Sequence, residues 1–344
     1  MEGYFERRGF ISASFLKALS NSPKEAYSII NGEESKKTPS LDFGSLADCL
    51  LTTPEEFLKK YAVFEGKKPT DKLLDFANKY IEIYQLEGTG EDFSEDSAIL
   101  RARTESGYDG RLLNETVLKR FKEDCGSYCQ FYIDNIDKTI IDAQTLNFAN
   151  ELVSQVKSSP YLQHLFYPDS NHIILFQVPI YIVTSKFEGK LLIDILDIDL
   201  LNKEITPYDF KTFEGNFESN YWKYKYYYQE TWYSFILNAL SNEELFISCE
   251  IPEELKVIHS GEYEIKQFKF IAADKSMYRE VELFQSYAGI VDDVVFQGYI
   301  DKGDNKVKIK SIVGLIKEAK ERVKLGNWTT DYQMLTNGVK NLWL

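Results

Sequence analysis

The spacing of apolar residues along this chain changes near residue 160. Before it, apolar residues recur every three to four positions. Over 69–88, Leu73, Leu74, Phe76, Ala77, Tyr80 and Ile81 fall on one face of a helix. The same period predicts helices over 112–134 and 142–158, and shorter helices split by polar turns over 1–62. The stretch GTGEDFSED at 88–96 reads as a flexible acidic loop, and Pro160 marks the break. Beyond it come apolar runs of strand length over 172–184, 187–200 and 204–213, with further strands over 263–273 and 280–284. One long helix is predicted over 217–240 and a last one over 306–324. Helices first, then a mixed sheet with a crossover helix, place the chain in the α/β (α+β) class. No internal repeat or low-complexity linker interrupts it. It therefore reads as one domain, 1–344, with a mainly helical region 1–160, a core 161–300 and a helical C-terminal segment 301–344.

The predicted strands carry charges that apolar strands do not favour. Asp194 lies within Leu191-Leu192-Ile193-Asp194-Ile195-Leu196, where an unpaired carboxylate would be costly. Asp209-Phe210-Lys211-Thr212 lies in the next run. Strand alternation puts Asp209 and Lys211 on one face and Phe210 behind them. Leu201-Asn202-Lys203-Glu204 suits a hairpin turn, which would bring Asp194 roughly opposite Asp209. Two carboxylates so placed repel each other and need a cation; for hard oxygen ligands that is Mg²⁺, with Mn²⁺ able to substitute. The Phe210 carbonyl is a further candidate ligand. Such a metal polarises a phosphate oxygen and acidifies a bound water, and Lys211 would orient that water or stabilise the developing charge. A D-x-K triplet by itself is more often a solvated strand face; the apolar setting of Asp194 weighs against that here. Gln177, on the preceding strand, reaches the same site if its face matches.

Gln229 and Tyr233 stand four apart on the predicted 217–240 helix and share a face. Aromatics interleave with lysines from Tyr221 to Tyr228, a pattern that can stack the bases of a single strand. On a continuous helix Trp222, Tyr226, Gln229 and Tyr233 form one face. Tyr221, Tyr224, Tyr228 and Trp232 form another, and one of the two belongs to the core.

Taken together, Asp194, Asp209-Phe210-Lys211 and Gln229-Glu230-Thr231-Trp232-Tyr233 resemble the PD-(D/E)XK nuclease superfamily, in the branch of RecE, the RecB nuclease domain and lambda-type phage exonucleases. Ile193 replaces that pattern's nominal proline. The segment Phe10-Ile11-Ser12-Ala13-Ser14-Phe15-Leu16-Lys17, followed by Ser22-Pro23, resembles the opening of RecE-like nucleases. There a G-x-x-x-H helix follows, whose His ligates metal; here Gly44 is followed by Asp48 in the His position, and an Asp also suits Mg²⁺. The resemblance implies a restriction-endonuclease-like mixed sheet flanked by helices. It implies a Mg²⁺-dependent DNA exonuclease resecting double-stranded ends. Asp48, Asp194, Asp209 and the Phe210 carbonyl would hold metal, and Lys211 would assist the water. Gln229 and Tyr233 would position the scissile strand, supported by Thr212. It also implies a homo-oligomer, a single-strand annealing protein as partner, and the cytoplasm of a bacterial host if the chain is phage-encoded. An endonuclease or single-strand nuclease on the same core stays open. So does a catalytically inactive DNA-binding or assembly protein: the intact Asp194, Asp209 and Lys211 oppose it, and the lost His favours it.

Composition narrows the rest. The 344 residues are 44% hydrophobic, enough for a full core, and no run of apolar residues has transmembrane length. The start, MEGYFERRGF, has no apolar segment of a secretory signal. Cysteines at 49, 125, 129 and 249 form neither a disulfide framework nor a zinc pattern and read as reduced, inert thiols. His164, His172 and His259 are scattered, and His164 and His172 read as capping or packing residues. No G-x-x-x-x-G-K-[ST] or G-x-S-x-G is present. The net charge of −14 opposes non-specific adhesion to nucleic acid, while leaving room for a local basic channel among clusters such as Lys223 with Lys225 and Lys306-Lys308-Lys310.

Overall fold

The computed structural model describes residues 4, 6–33, 39–88, 90–108, 110–276, 280–303 and 305–329; the end of the expected C-terminal segment, from 330 on, lies outside them. The chain divides into two compact units, Met1–Thr53 with Leu152–Leu344, and Pro54–Glu151. The single-domain reading does not contain that division.

The first unit opens with α1 (Ala13–Asn21), α2 (Pro23–Asn31) and α3 (Pro39–Thr52). Ser12 caps α1, its hydroxyl accepting the Phe15 N–H at 3.2 Å. Ser22 ends α1 and caps α2 by accepting the Lys24 N–H, with Pro23 in the first turn where no amide hydrogen is needed.

The second unit holds α4 (Phe57–Lys60), β1 (Tyr61–Phe64), α5 (Asp71–Glu87), α6 (Glu95–Ser106), α7 (Asn114–Asp124), α8 (Gly126–Asp134) and β2 (Thr139–Asp142). Its core gathers Phe76, Tyr80, Ile99, Val117, Phe121, Cys125 and Cys129. The acidic stretch at 88–96 runs straight into α6, which the spacing did not predict. Ser94 caps it and Ala98, Ile99 and Ala102 supply a buried stripe. The predicted 112–134 helix is two helices, broken at Cys125. Burial pushes the Cys125 thiol up to about 11 and raises that of Cys129 as well, which keeps both protonated and unreactive. The parallel pair β1–β2 was also not predicted.

The helix α9 (Ala143–Ser158) ends in the first unit, followed by α10 (Gln163–Phe166), β3 (His172–Val183), β4 (Glu188–Asp199) and β5 (Glu204–Phe213). Next come α11 (Phe217–Lys223), α12 (Tyr227–Leu240), β6 (Ser248–Glu250), β7 (Glu264–Ile265), β8 (Lys269–Asp274) and β9 (Val281–Phe284). The unit closes with α13 (Ile290–Asp292), β10 (Tyr299–Lys302), β11 (Asn305–Lys308) and α14 (Ile312–Leu325). The main sheet has the order β6-β3-β4-β5-β8-β9, with β7 also on β5. Its pairs are antiparallel except β5 with β7 and β8, so α11 and α12 make the crossover a parallel return needs. One face packs on α1, α12 and α14 through residues such as Leu16, Trp232, Phe270 and Leu315. The other packs on α3, α10 and the end of α9 through Ala47, Leu51, Leu152, Val156, Leu165, Tyr208 and Phe210. This is the expected α+β class with a mixed sheet.

Two boundaries differ from the spacing. The 217–240 helix breaks at Lys225, whose φ of 55° is left-handed and cannot continue a helix. The break cancels the two aromatic faces: Tyr221, Tyr227, Tyr228 and Trp232 are all buried, while Tyr224 is exposed. The 306–324 segment begins as β11, hairpinned onto β10, and only then becomes α14, capped by Ser311. No helix among the described residues is long and apolar enough to cross a membrane.

Candidate active site

The centre of the sheet is where β3, β4 and β5 stop pairing regularly. Asp199 closes the β4–β5 hairpin, its carboxylate accepting the backbone N–H groups of Leu201 and Asn202 at 2.9 Å each. The ladder runs from Asp199↔Glu204 to Ile195↔Tyr208. Asp194 and Asp209 are the next residues in that register, as the turn spacing predicts, but the strands part there. Instead the Asp194 carboxylate accepts the Phe210 N–H at 2.8 Å.

On the other side, the β3–β4 ladder omits Gln177 against Asp194. Gln177 has a φ of 48°, a strained conformation for a residue with a side chain. On both strands the positions facing the larger core change parity at this point. They pass from Ile173 and Leu175 to Val178, Ile180 and Ile182 on β3, and from Leu191 and Ile193 to Leu196 and Ile198 on β4. The irregularity frees the Gln177 amide to donate to both oxygens of Asp48 at 3.3 Å and to the Thr52 hydroxyl at 3.1 Å.

Asp48 is delivered by α3. At Gly44, one turn earlier, an added Cβ would stand 3.1 Å from the Thr212 hydroxyl oxygen, so a glycine lets α3 lie close on β5. Thr212 thus faces α3. Phe210 buries its ring on that same side. Asp209 is 1% exposed, and its Oδ1 accepts a short hydrogen bond from Gln229 Nε2 of α12. Its Oδ2 is buried without a hydrogen-bond partner of good geometry and meets only the Lys211 ammonium, an ion-pair contact. Tyr233 is also buried, edge-on to Phe268 at 5.7 Å between ring centroids.

The electrostatics match this crowding. Burial, then the Asp209 and Asp48 charges, raise the Asp194 carboxyl well above its ordinary range, and the Phe210 N–H opposes them. Burial works against the Lys211 charge, but Asp209 and Asp194 outweigh it and hold the ammonium above the usual lysine value. Burial, then Tyr4, Asp209 and Asp194, raise the Tyr233 phenol. The structure therefore brings Asp48, Asp194, Asp209, Phe210, Lys211 and Gln229 together, with Tyr233 beside them and Thr212 under α3. Gln229 points at a carboxylate rather than outward. Gln177 and Tyr4 join this neighbourhood; Tyr4 lies too far away in sequence for any local spacing to show.

Among the described residues no three His, Cys, Asp or Glu side chains are grouped tightly enough to hold a metal ion as they stand. The Lys211 ammonium pairs with Asp209. The donors nevertheless suit a hard divalent cation: they are carboxylate oxygens, one of them orphaned and buried.

No family model matches the chain, and no curated protein matches it. Among solved structures it is similar to a protein of Eubacterium rectale provisionally named an exonuclease. The likeness spans 98% of this chain and 92% of that one, at 11% identity and a TM-score of 0.42, too low to bear on fold or activity.

The histidines are not all packing residues. His172 Nδ1 lies 2.8 Å from Asp197 Oδ1 and His164 Nε2 lies 3.6 Å from Asp197 Oδ2, at the far end of β4. Its hydrogen bond to Asp197 raises the His172 pKa above 6.5. The stabilisation is then complete below the unfolded value and fades as pH rises through the higher folded value. Urea denaturation should show wild type losing its advantage over His172→Phe as pH is raised from about 6 to about 9. A pH-independent difference would refute the coupling.

Proposed function

We propose that this chain is a metal-dependent DNA nuclease, an exonuclease acting on double-stranded ends. The observation that carries the reading is the buried Asp209, held by Gln229 and Lys211, with the Asp194 and Asp48 carboxylates of two other elements near enough for their charges to act on one another. A structural ion pair would need no further acids around it, and the sheet would not need to break its pairing at Asp194 and Gln177 to bring them there.

In this reading Asp194, Asp209 and Asp48 hold Mg²⁺ or Mn²⁺, with the Phe210 carbonyl as a further donor. When bound, the ion would polarise a phosphoryl oxygen and lower the pKa of a water. Gln229 fixes Asp209 by its amide, so the carboxylate keeps one orientation. Gln177 does the same for Asp48. Lys211 balances the acids before substrate enters, then faces the phosphate whose charge rises in the transition state. Tyr233 packs behind the acids, and the Phe210 N–H keeps Asp194 beside them.

The test is linear duplex DNA labelled at either end, incubated with Mg²⁺, with Mn²⁺ and with EDTA, beside a covalently closed circle and an Asp209→Asn variant. Metal-dependent shortening of the linear DNA, sparing of the circle and loss in the variant are expected. Cutting of the circle would make it an endonuclease on the same core. Absence of cleavage of duplex and single strand alike would leave a DNA-binding protein and end the catalytic reading.

A further inference from the structure

Beside Lys211, the same unit carries Lys17, Lys225 and Lys310, which the catalytic roles do not use. Lys17 of α1 and Lys211 of β5 place their ammonium groups over one ring, Tyr226, at 5.9 and 5.5 Å from its centroid. Lys225 follows in the α11–α12 break and donates to the Ser20 hydroxyl at 3.0 Å and to the Asn21 side-chain oxygen. Lys310 comes next, its carbonyl accepting the Tyr228 hydroxyl at 2.7 Å and its ammonium paired with Glu318.

Lys17 and Lys225 are half-buried, and among the described residues neither ammonium has a carboxylate in ion-pair contact. Lys225 contacts neutral oxygens only, with the Glu25 charge acting from farther away. Lys17 and Lys225 lie close enough for their charges to repel each other, in a chain whose net charge is −14. Burial lowers the pKa of both; on Lys17 the Lys211 and Lys225 charges add to it and Glu25 opposes, while on Lys225 Glu25 opposes it and Lys310 adds. An anion seated between them would relieve both costs at once. The left-handed backbone of Lys225 turns it out of the α11–α12 line toward α1, where Ser20 and Asn21 accept from its ammonium.

Resting on the nuclease reading, we propose that Lys17 and Lys225 bind consecutive backbone phosphates of the strand being cut, which runs from the acids across Tyr226 toward Lys310. The partner is the phosphodiester backbone, so contact here is independent of base sequence. Tyr226 is half-buried and forms the floor of the path rather than a base-stacking platform.

The experiment is fluorescence anisotropy of labelled single-stranded and duplex oligonucleotides in EDTA across a salt series. It compares wild type with Lys17→Gln, Lys225→Gln, the double variant, Lys17→Arg and Lys256→Gln. Lys256 is paired with Glu253 on the surface and serves as the control. Each phosphate contact removed should lower the slope of log affinity against log salt by about 0.7 on single strands and about 0.9 on duplex. Lys17→Arg and Lys256→Gln should keep the wild-type slope. A double variant that melts like wild type and keeps its slope would overturn the track. The nuclease reading fails separately: a wild type that binds strands with the expected slope but never cuts them would lose the catalytic assignment and keep the track. A wild type that binds no strand would sink both.

Discussion

On the proposed nuclease reading, Lys211→Met is expected to reduce phosphodiester cleavage by about a thousandfold while leaving metal-free folding measurably weaker. Both effects come from one contact. Asp209 is almost completely buried, and among the described residues its Oδ2 has no partner apart from the Lys211 ammonium. Removing the lysine strands that carboxylate beside Asp194. Breaking a buried pair from one side costs about 3 kcal/mol or more, unless the acid takes up a proton. Added Mg²⁺ or Mn²⁺ should then recover more thermal stability in the variant than in wild type, since the ion would supply the missing charge. Melting curves with EDTA and with metal, set beside end-labelled cleavage assays, check both parts. A variant that still cuts at the wild-type rate would remove Lys211 from the chemistry. A variant whose melting ignores metal would argue that Asp48, Asp194 and Asp209 do not hold one.

Glu230→Gln should stabilise the protein at alkaline pH by about 3 kcal/mol and do little near pH 5. Glu230 is fully buried in α12, accepting hydrogen bonds from the Tyr221 hydroxyl at 2.6 Å and the Ser286 hydroxyl at 2.5 Å. Burial dominates over those bonds and raises its carboxyl from 4.5 to about 7. A carboxyl raised on folding favours the native state while protonated. That contribution is present below 4.5 and is lost as pH climbs through about 7. A glutamine keeps the shape and cannot ionise; one hydroxyl keeps donating to its carbonyl oxygen while the other turns to accept from its NH2. Urea unfolding at several pH values should show the two proteins converging in acid and separating above neutrality. Equal stability at pH 8, or a less stable variant there, would contradict the raised value.

The sequence by itself determined the three central strands, the β4–β5 register and the pairing of Asp209 with Lys211 on one face. Those features are local: alternation has a period of two, and a four-residue connection leaves little choice of register. It also separated a helical first half from the sheet, because spacing reveals which face of an element is apolar. The tertiary structure decided what that apolar face meets. The α6 helix is weak by spacing and forms because Ala98, Ile99 and Ala102 find the Phe76 and Phe121 cluster. The helix predicted over 217–240 breaks at Lys225, a residue type with no local reason to stop a helix, and its hydrogen bonds reach back to Ser20 and Asn21. Gln177 turns toward Asp48 only because α3 lies close on β5 at Gly44. Lys17 and Lys211 are nearly two hundred residues apart in sequence and share one ring. Periodicity records the environment of an element averaged along its length. The placement of one charge against another depends on contacts between residues far apart in the chain, and only folding sets those distances.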